Sequence, residues 1–293
     1  MNYYNEIKQE LVNNQVYKKV KDYSKNKNDL ETYYKVGKIL YEAGRHYGES
    51  IIKEYSKKLT NELGKGYNTS TLKRMRKFYF NIEKGATVSH QLTWSHYTEL
   101  LPINNIDEIN YYIKITEEQN LSVRELRNKI KLNEYERLDS KAKEKLITQE
   151  ENKIEDFIKN PIIIKNKGYE IISEKLLKQL ILEDIDNFLN ELGNNFTYVK
   201  NEYKIKIGDR YNYIDILLFN IEFNCYVVIE LKITELKKEH IGQIQTYMNY
   251  IDKNVKTINQ DKTIGIIICK KDNHFIMEYC SDERIFTSKY ILI

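Results

Sequence analysis

Cysteine, proline and glycine are scarce in this sequence, and each shortage excludes a class of protein. The 293 residues include three cysteines, two prolines and eleven glycines. So little proline and glycine excludes collagen-like chains and Pro/Gly-rich disordered chains, while 41% hydrophobic residues suffice for a folded core. Cys225, Cys269 and Cys280 are an odd number at wide spacings, so the sequence indicates neither a disulfide framework nor a CxxC zinc site.

Long hydrophobic runs are absent as well. No apolar stretch approaches the roughly 18 residues that cross a membrane, and the N-terminus, MNYYNEIKQE, lacks the apolar core of a signal peptide. Together with the cysteine pattern, these features predict a cytoplasmic protein without a membrane partner. The sequence also has no glycine-rich phosphate-binding loop, which argues against a nucleotide-driven motor.

Positive and negative charges nearly balance, with 47 Lys and Arg against 43 Asp and Glu. The balance is uneven along the chain, because the first 150 residues are net basic and the remainder is slightly acidic. This asymmetry is a weak indication of a polyanionic partner for the first half and of a carboxylate site in the second half.

Two different hydrophobic patterns divide the chain. The first part has helical periodicity almost throughout, whereas the last part begins with an amphipathic helix over 176–192 and continues with short strand-like runs. A charged stretch between them predicts a helical linker. The sequence therefore predicts an N-terminal all-α domain, a charged helical linker and a C-terminal α/β domain, at residues 1–137, 138–160 and 161–293.

A short basic helix is predicted in the N-terminal domain, directly after the N-cap residues 68–70. It contains Lys73, Arg74, Arg76 and Lys77. Such a stripe can contact the phosphate groups of a nucleic acid, so these four residues are the predicted DNA-binding residues of this domain. The alternative is an ordinary solvated helix face.

Two carboxylates and a lysine come together in the predicted hairpin YNYIDILLFNIEFNCYVVIELKI. A turn near residues 220–224 places Asp215 opposite Glu230, to within one residue pair, and strand alternation places Lys232 on the same face as Glu230. Facing like charges among apolar neighbours are unfavourable unless a cation is bound. The arrangement predicts a magnesium site for phosphodiester hydrolysis. The alternative is a pair of surface carboxylates with a salt-bridging lysine.

The segment 208–252, GDRYNYIDILLFNIEFNCYVVIELKITELKKEHIGQIQTYMNYID, resembles the nuclease domain of the bacterial YhcG-type PD-(D/E)XK family. FLNELG, FTYV and TIGIIICK resemble other parts of that domain. The N-terminal helical domain of the family is matched by YYKVGKIL, LTNELGKGYNTSTLKRMRKFY, QLTWSHYTELL and LSVRELRNKI. The resemblance implies a restriction-endonuclease-like α/β fold behind an all-α, DNA-binding domain, for which a winged-helix-like form is one version.

The resemblance also implies roles for particular residues. Asp215 and Glu230 would hold Mg²⁺ or Mn²⁺, and Lys232 would position the attacking water. Gln243 would support the substrate or the site, and Tyr247, one turn later on the same helix, would reach the site or the DNA backbone. The alternative for Tyr247 is helix packing. The implied reaction is endo- or exonucleolytic cleavage of DNA in restriction, repair or mobile-element biology.

The sequence departs from the family at one position. Related nucleases place an acid on the first helix of the domain, and this chain has Lys178 at the aligned position. Glu183 and Asp184, a little over one turn later, are the nearest substitutes, and Glu183 is the predicted further metal ligand. The departure leaves a second function open, a catalytically silent DNA- or partner-binding module. RNA as the substrate, a homo-oligomer and an association with other DNA-processing proteins also stay open.

Overall fold

The computed structural model of this protein describes residues 3–19, 25–148, 156, 158–193, 195–280 and 282–293. The chain divides into two compact units, Met1–Tyr135 and Glu136–Ile293. The first is helical and the second is α/β, so the predicted fold class is confirmed. Within the described ranges, no helix has both the length and the apolar character that a membrane span requires.

The described residues of the first unit form α-helices and short 3₁₀ turns, without a strand. A β-hairpin wing, which a winged-helix fold requires, is therefore not found in this part of the chain. The α-helices are α1 (Tyr3–Lys19), α2 (Lys25–Tyr47), α3 (Ser50–Leu63), α4 (Thr69–Glu83), α5 (Trp94–Leu100), α6 (Ile106–Glu118) and α7 (Val123–Lys131).

Helix α4 contains the predicted basic stripe, and its position depends on close packing against α2. The helix begins after Asn68, whose side chain accepts a hydrogen bond from the backbone N–H of Thr71 at 3.0 Å. Gly37 of α2 lies directly against α4, since a Cβ atom there would stand only 2.2 Å from the carbonyl oxygen of Met75. The missing side chain at residue 37 therefore permits the approach of the two helices.

The second unit is built on a six-stranded mixed sheet with the order β1-β6-β5-β4-β3-β2. Strand β3 is antiparallel to β2 and β4, and the other neighbours are parallel. The strands are β1 (Ile162–Ile164), β2 (Phe196–Ile207), β3 (Arg210–Asn220), β4 (Cys225–Glu235), β5 (Ile264–Lys271) and β6 (Ile285–Leu292). The helices are α8 (Ser140–Thr148), α9 (Glu174–Glu183), α10 (Ile185–Leu192), α11 (Lys238–Asn254) and α12 (His274–Cys280).

Helices cover both faces of this sheet, which explains the continuous apolar runs of its central strands. Alternate residues of β4 belong to two different cores. Val227 and Ile229 pack with α9 and α10, whereas Val228 packs with α11. The carboxylates and the lysine predicted as site residues lie in the middle of β3 and β4, where these two strands cease to pair with each other.

The structure differs from the sequence predictions in local detail. The helix predicted over 176–192 is interrupted at Asp184, whose φ of −134° and ψ of 51° end α9 before α10 begins. The sequence does not predict strands β1 and β6, because three residues of β1 give no usable period and β6 mixes polar with apolar positions. Of the predicted linker 138–160, residues 149–155 and 157 lie outside the described residues, and Ile158 is buried in the sheet core.

Candidate active site

The candidate site lies where β3 and β4 stop pairing. Their register ends with Ile216 opposite Ile229, so Asp215 and Glu230 are the next residues on the two strands. The Asp215 carboxylate accepts a hydrogen bond from the backbone N–H of Leu231 at 3.0 Å. A side chain thus provides the acceptor that β4 no longer obtains from its neighbouring strand. The hairpin places Asp215 beside Glu230, at the level that the sequence predicts.

The two oxygen atoms of Glu230 have different surroundings. Oε1 accepts a hydrogen bond from Nζ of Lys232 at 2.8 Å, whereas Oε2 is buried and has no hydrogen-bond partner among the described residues. The residue is 3% exposed. Burial, followed by the negative charge of Asp215, raises the pKa of Glu230 to about 7. A buried carboxylate oxygen without a partner is unfavourable, and a cation held by both carboxylates would remove this cost.

Lys232 is the cation bonded to Glu230, and it is nearly buried too, at 8% exposure. Burial by itself would lower the pKa of Lys232, but the charge and hydrogen bond of Glu230, with smaller contributions from Glu174 and Asp215, raise it. Lys232 therefore stays protonated at neutral pH with its ammonium group fixed at the carboxylates.

Lys178 has a defined partner in this chain although related nucleases have an acid there. Its Nζ lies 3.2 Å from Oδ1 of Asp215 and 2.9 Å from Oε1 of Glu202 on β2. Burial would lower the pKa of Lys178, but the hydrogen bond to Glu202 and the charge of Asp215 raise it. Each carboxylate of the pair is therefore balanced by its own lysine, Asp215 by Lys178 and Glu230 by Lys232.

Glu183, the predicted further metal ligand, is bonded to side chains outside this pair. Glu183 accepts a hydrogen bond from Gln179 at 2.8 Å and pairs with Lys167, while Asp184 pairs with Lys165.

Glu174, the first residue of α9, is an acid near the site that sequence reasoning missed. It is exposed, and its charge contributes to the raised pKa of Glu230 and of Lys232, after burial and the charges within the pair. Glu174 precedes Lys178 by four residues, so both project from one face of the helix. This spacing is visible in the sequence and could have identified the residue.

Helix α11 borders the site through its first turns. His240 lies near Lys232, because burial and then the charge of Lys232 lower the pKa of this histidine. Gln243, one turn later, donates a hydrogen bond from Nε2 to the hydroxyl oxygen of Tyr247 at 3.0 Å. Tyr247 is only 5% exposed and packs with Ile244 in the core, which favours the alternative of helix packing for this residue.

The predicted DNA-binding residues of α4 do not form one stripe. Arg76 donates two hydrogen bonds to Glu49, at 2.6 and 2.9 Å, so its charge is balanced within the protein. The charge of Arg74 helps to lower the pKa of Glu99, although the hydrogen bond from Arg127 lowers it most. Three of the four, all but Arg74, border a pocket of about 510 Å³, whose lining includes Tyr41, Arg45, Lys73, Arg76, Lys77 and Phe80.

The donor set where β3 and β4 part fits a magnesium ion. In the part of the chain that the structure describes, no group of three or more His, Cys, Asp or Glu side chains is placed to hold a metal by itself. Mg²⁺ typically takes one or two carboxylates and keeps several waters for a phosphate substrate. Asp215 and Glu230 supply two carboxylates, and Oε2 of Glu230 is the buried oxygen that a cation would satisfy.

Comparison with known proteins gives two domain matches and one curated relative. Residues 6–137 match the DUF1016 N-terminal domain, and residues 155–293 match the YhcG PDDEXK nuclease domain. The chain is 26% identical over 283 residues to "Putative nuclease YhcG" of Escherichia coli strain K12. That match covers 81% of this chain and 76% of the relative.

Two solved structures share weak similarity with the chain. A repair endonuclease from Pyrococcus abyssi is 19% identical, with a TM-score of 0.29, over 42% of this chain and 49% of that chain. An EndoMS-dsDNA2 complex is 19% identical, with a TM-score of 0.30, over 42% of this chain and 48% of that chain. The chain thus spans about half the length of the solved structures that it matches.

The two domain matches follow one another along the chain in the order that the sequence resemblance implies, and their division agrees with the helical and α/β units of the fold. The predicted resemblance is confirmed. The chain belongs to the YhcG-type PD-(D/E)XK nuclease family, with a DUF1016 N-terminal domain followed by a YhcG PDDEXK nuclease domain.

Proposed function

We propose that this protein is a cytoplasmic, Mg²⁺- or Mn²⁺-dependent nuclease that hydrolyses phosphodiester bonds of DNA in restriction, repair or mobile-element biology. The observation that carries the proposal is the buried Glu230 beside the half-buried Asp215, with the ammonium group of Lys232 bonded to Glu230. Asp215 and Glu230 would hold the cation. When bound, a divalent cation stabilises negative charge on the phosphate and lowers the pKa of a water molecule.

The surrounding side chains suit distinct tasks in this reaction. Lys232 is fixed by its hydrogen bond to Glu230 and would hold the attacking water or a phosphate oxygen through its remaining N–H groups. Gln243 is kept in place by Tyr247 and would support the site through its carboxamide group. Glu174 would be the acid of the first helix. Lys178 would leave Asp215 when the cation binds and keep its hydrogen bond to Glu202.

The Lys232→Ala variant tests the catalytic proposal. Loss of the fixed ammonium group should reduce metal-dependent cleavage by about a hundredfold or more, with DNA binding nearly unchanged. The assay compares single-stranded, double-stranded and branched DNA, and RNA, each with Mg²⁺ or Mn²⁺ and with EDTA. Lys271→Ala removes an exposed lysine from the end of β5 and is the matched control.

Three results would contradict this proposal. They are full activity of Lys232→Ala, cleavage that continues in EDTA, and binding of nucleic acid without cleavage of any substrate. The last result would favour the alternative of a catalytically silent binding module, for which the contact of Lys178 with Asp215 is the supporting observation. Cleavage of RNA but of none of the DNA probes would identify RNA as the substrate.

Two variants of α9 separate the acid that the structure favours from the one that the sequence favours. Glu174→Gln should reduce cleavage by about ten- to a hundredfold, because its charge acts on the Glu230–Lys232 pair. Glu183→Gln should leave the rate unchanged, because Glu183 is bonded to Lys167 and Gln179. A larger loss of cleavage in Glu183→Gln than in Glu174→Gln would identify Glu183 as the acid of the first helix.

The raised pKa of Glu230 predicts how the stability of the metal-free protein depends on pH. Since the folded state binds this proton more tightly than the unfolded state, the contribution is full below about pH 4.5 and is lost as the pH rises through about 7. The Glu230→Gln variant lacks this pH-dependent contribution to stability. The free energy of unfolding of the variant should therefore improve relative to the wild type by up to about 3 kcal/mol between pH 4.5 and pH 8.

Urea unfolding in EDTA at several pH values measures this difference. Glu283→Gln, which replaces an exposed carboxylate, is the control and should show no comparable trend. A difference between Glu230→Gln and the wild type that does not depend on pH would contradict a buried, proton-binding Glu230.

We further propose that α4 contacts the DNA backbone, with Lys73 and Lys77 as the main donors. Both line the pocket beside α2, and Arg76 contributes less charge because Glu49 holds it. The Lys73→Ala/Lys77→Ala variant should weaken binding and reduce the log–log salt slope by about one for each phosphate that the protein ceases to bind. Lys57→Ala/Lys58→Ala, on exposed positions of α3, is the control. An unchanged salt slope would indicate that the basic face of α4 is an ordinary solvated helix face.

A further inference from the structure

Strands β2 and β3 continue beyond the sheet as a two-stranded arm. Strand β3 pairs with β4 only between Ile216 and Asn220, but it pairs with β2 as far as Arg210. Residues 201–215 are therefore held by each other, and we call them the hairpin arm. Gly208 forms its turn with a φ of 59°, a conformation that glycine adopts without strain.

One face of the hairpin arm is packed against the protein. Ile205 and Ile214 are 1% and 0% exposed, and Tyr203 packs beside them against the core that includes α11. An isolated two-stranded hairpin is only marginally stable in water, so this packing is what holds the arm in a fixed position. The arm consequently presents its other face to solvent as a defined surface.

The open face carries two tyrosines and two lysines, and we call it the arm face. Lys204 lies opposite Tyr213, and Lys206 lies opposite Tyr211, so the four side chains project to the same side. Tyr211 and Tyr213 are 57% and 53% exposed. The Nζ atoms of Lys204 and Lys206 lie 3.8 and 6.0 Å from the centroid of the Tyr211 ring. The two lysines of β2 and the two tyrosines of β3 therefore lie side by side on this surface.

The arm face is continuous with the candidate active site. Tyr213 and Tyr211 precede Asp215 by two and four residues, which places them about 7 and about 13 Å away along β3. On β2 the register sets Glu202 level with Asp215, and Lys178 bonds to both. A DNA strand with one phosphate at Asp215 could therefore contact these tyrosines and lysines with its neighbouring nucleotides.

We propose that the arm face binds an unpaired stretch of the substrate strand beside the cleaved bond, so that the preferred substrate is DNA with a single-stranded tail, flap or gap. Unpaired bases can stack on exposed tyrosine rings, whereas bases inside a duplex are already stacked on their neighbours. Lysines next to the rings match the phosphates of the same strand. This inference rests on the proposed function and names the substrate class of that site.

The test measures binding by the full chain carrying Lys232→Ala, in EDTA, so that no probe is cleaved. Fluorescein-labelled probes are a blunt duplex, the same duplex with a single-stranded tail, and the single strand, followed by fluorescence anisotropy. Tyr211→Ala/Tyr213→Ala should raise the Kd for the tailed duplex and the single strand by about tenfold or more, as expected when bases no longer stack on the rings. The Kd for the blunt duplex should change by less than about twofold.

Two further variants keep the interpretation specific. Tyr211→Phe/Tyr213→Phe retains the rings and should restore binding of the tailed probe, which also shows that a folding defect is not the cause. Tyr279→Ala removes a tyrosine that is 76% exposed on α12 and should leave all three Kd values unchanged.

The outcomes separate this inference from the nuclease proposal. Equal losses on the blunt and tailed duplexes, unchanged binding by the alanine variant, or no binding of any probe would each overturn the role of the arm face. Selective loss of tail binding supports it, even if the wild-type chain cleaves nothing when metal is added, and that second result would overturn the nuclease proposal alone.

Discussion

Glu230 is buried beside Asp215, and the repulsion between these two carboxylates constrains the second unit more than any other contact of its site. Nearly complete burial raises the pKa of Glu230 to about 7, so this carboxyl group changes its protonation state near neutral pH. Lys232 from β4 and Lys178 from α9 balance the pair from different elements. The position of α9 against the sheet is therefore part of the electrostatics of the site as well as of the hydrophobic core.

The same pair lies at the point where β3 parts from β4 and continues with β2 alone. Once the two strands part after Ile216, the Asp215 side chain takes over a backbone hydrogen bond of β4, and β3 is free to continue with β2 alone. The parting of the strands thus creates both the place where the carboxylates meet and the hairpin arm beside it. The carboxylate pair and a lysine–tyrosine surface follow from one change in strand pairing.

Pairing within the protein also limits what basic residues can contribute to nucleic-acid binding. Arg76 and Arg127 donate paired hydrogen bonds to Glu49 and Glu99, so their charge is largely satisfied before any ligand arrives. Lys204 instead lies over the ring of Tyr211, and such a cation–π contact leaves the N–H groups of the ammonium able to donate to a phosphate. A count of Lys and Arg along a helix therefore overestimates its positive surface.

Local geometry allowed the sequence by itself to determine the helical and α/β parts and the Asp215, Glu230 and Lys232 constellation. Strand alternation and a short turn fix which residues of a hairpin face each other, whatever the rest of the chain does. Only the tertiary structure decided that Glu183 bonds to Lys167 and Gln179, and that Tyr247 turns inward. Those choices depend on which side of α9 and of α11 is buried against the sheet, and such burial depends on residues distant in the sequence.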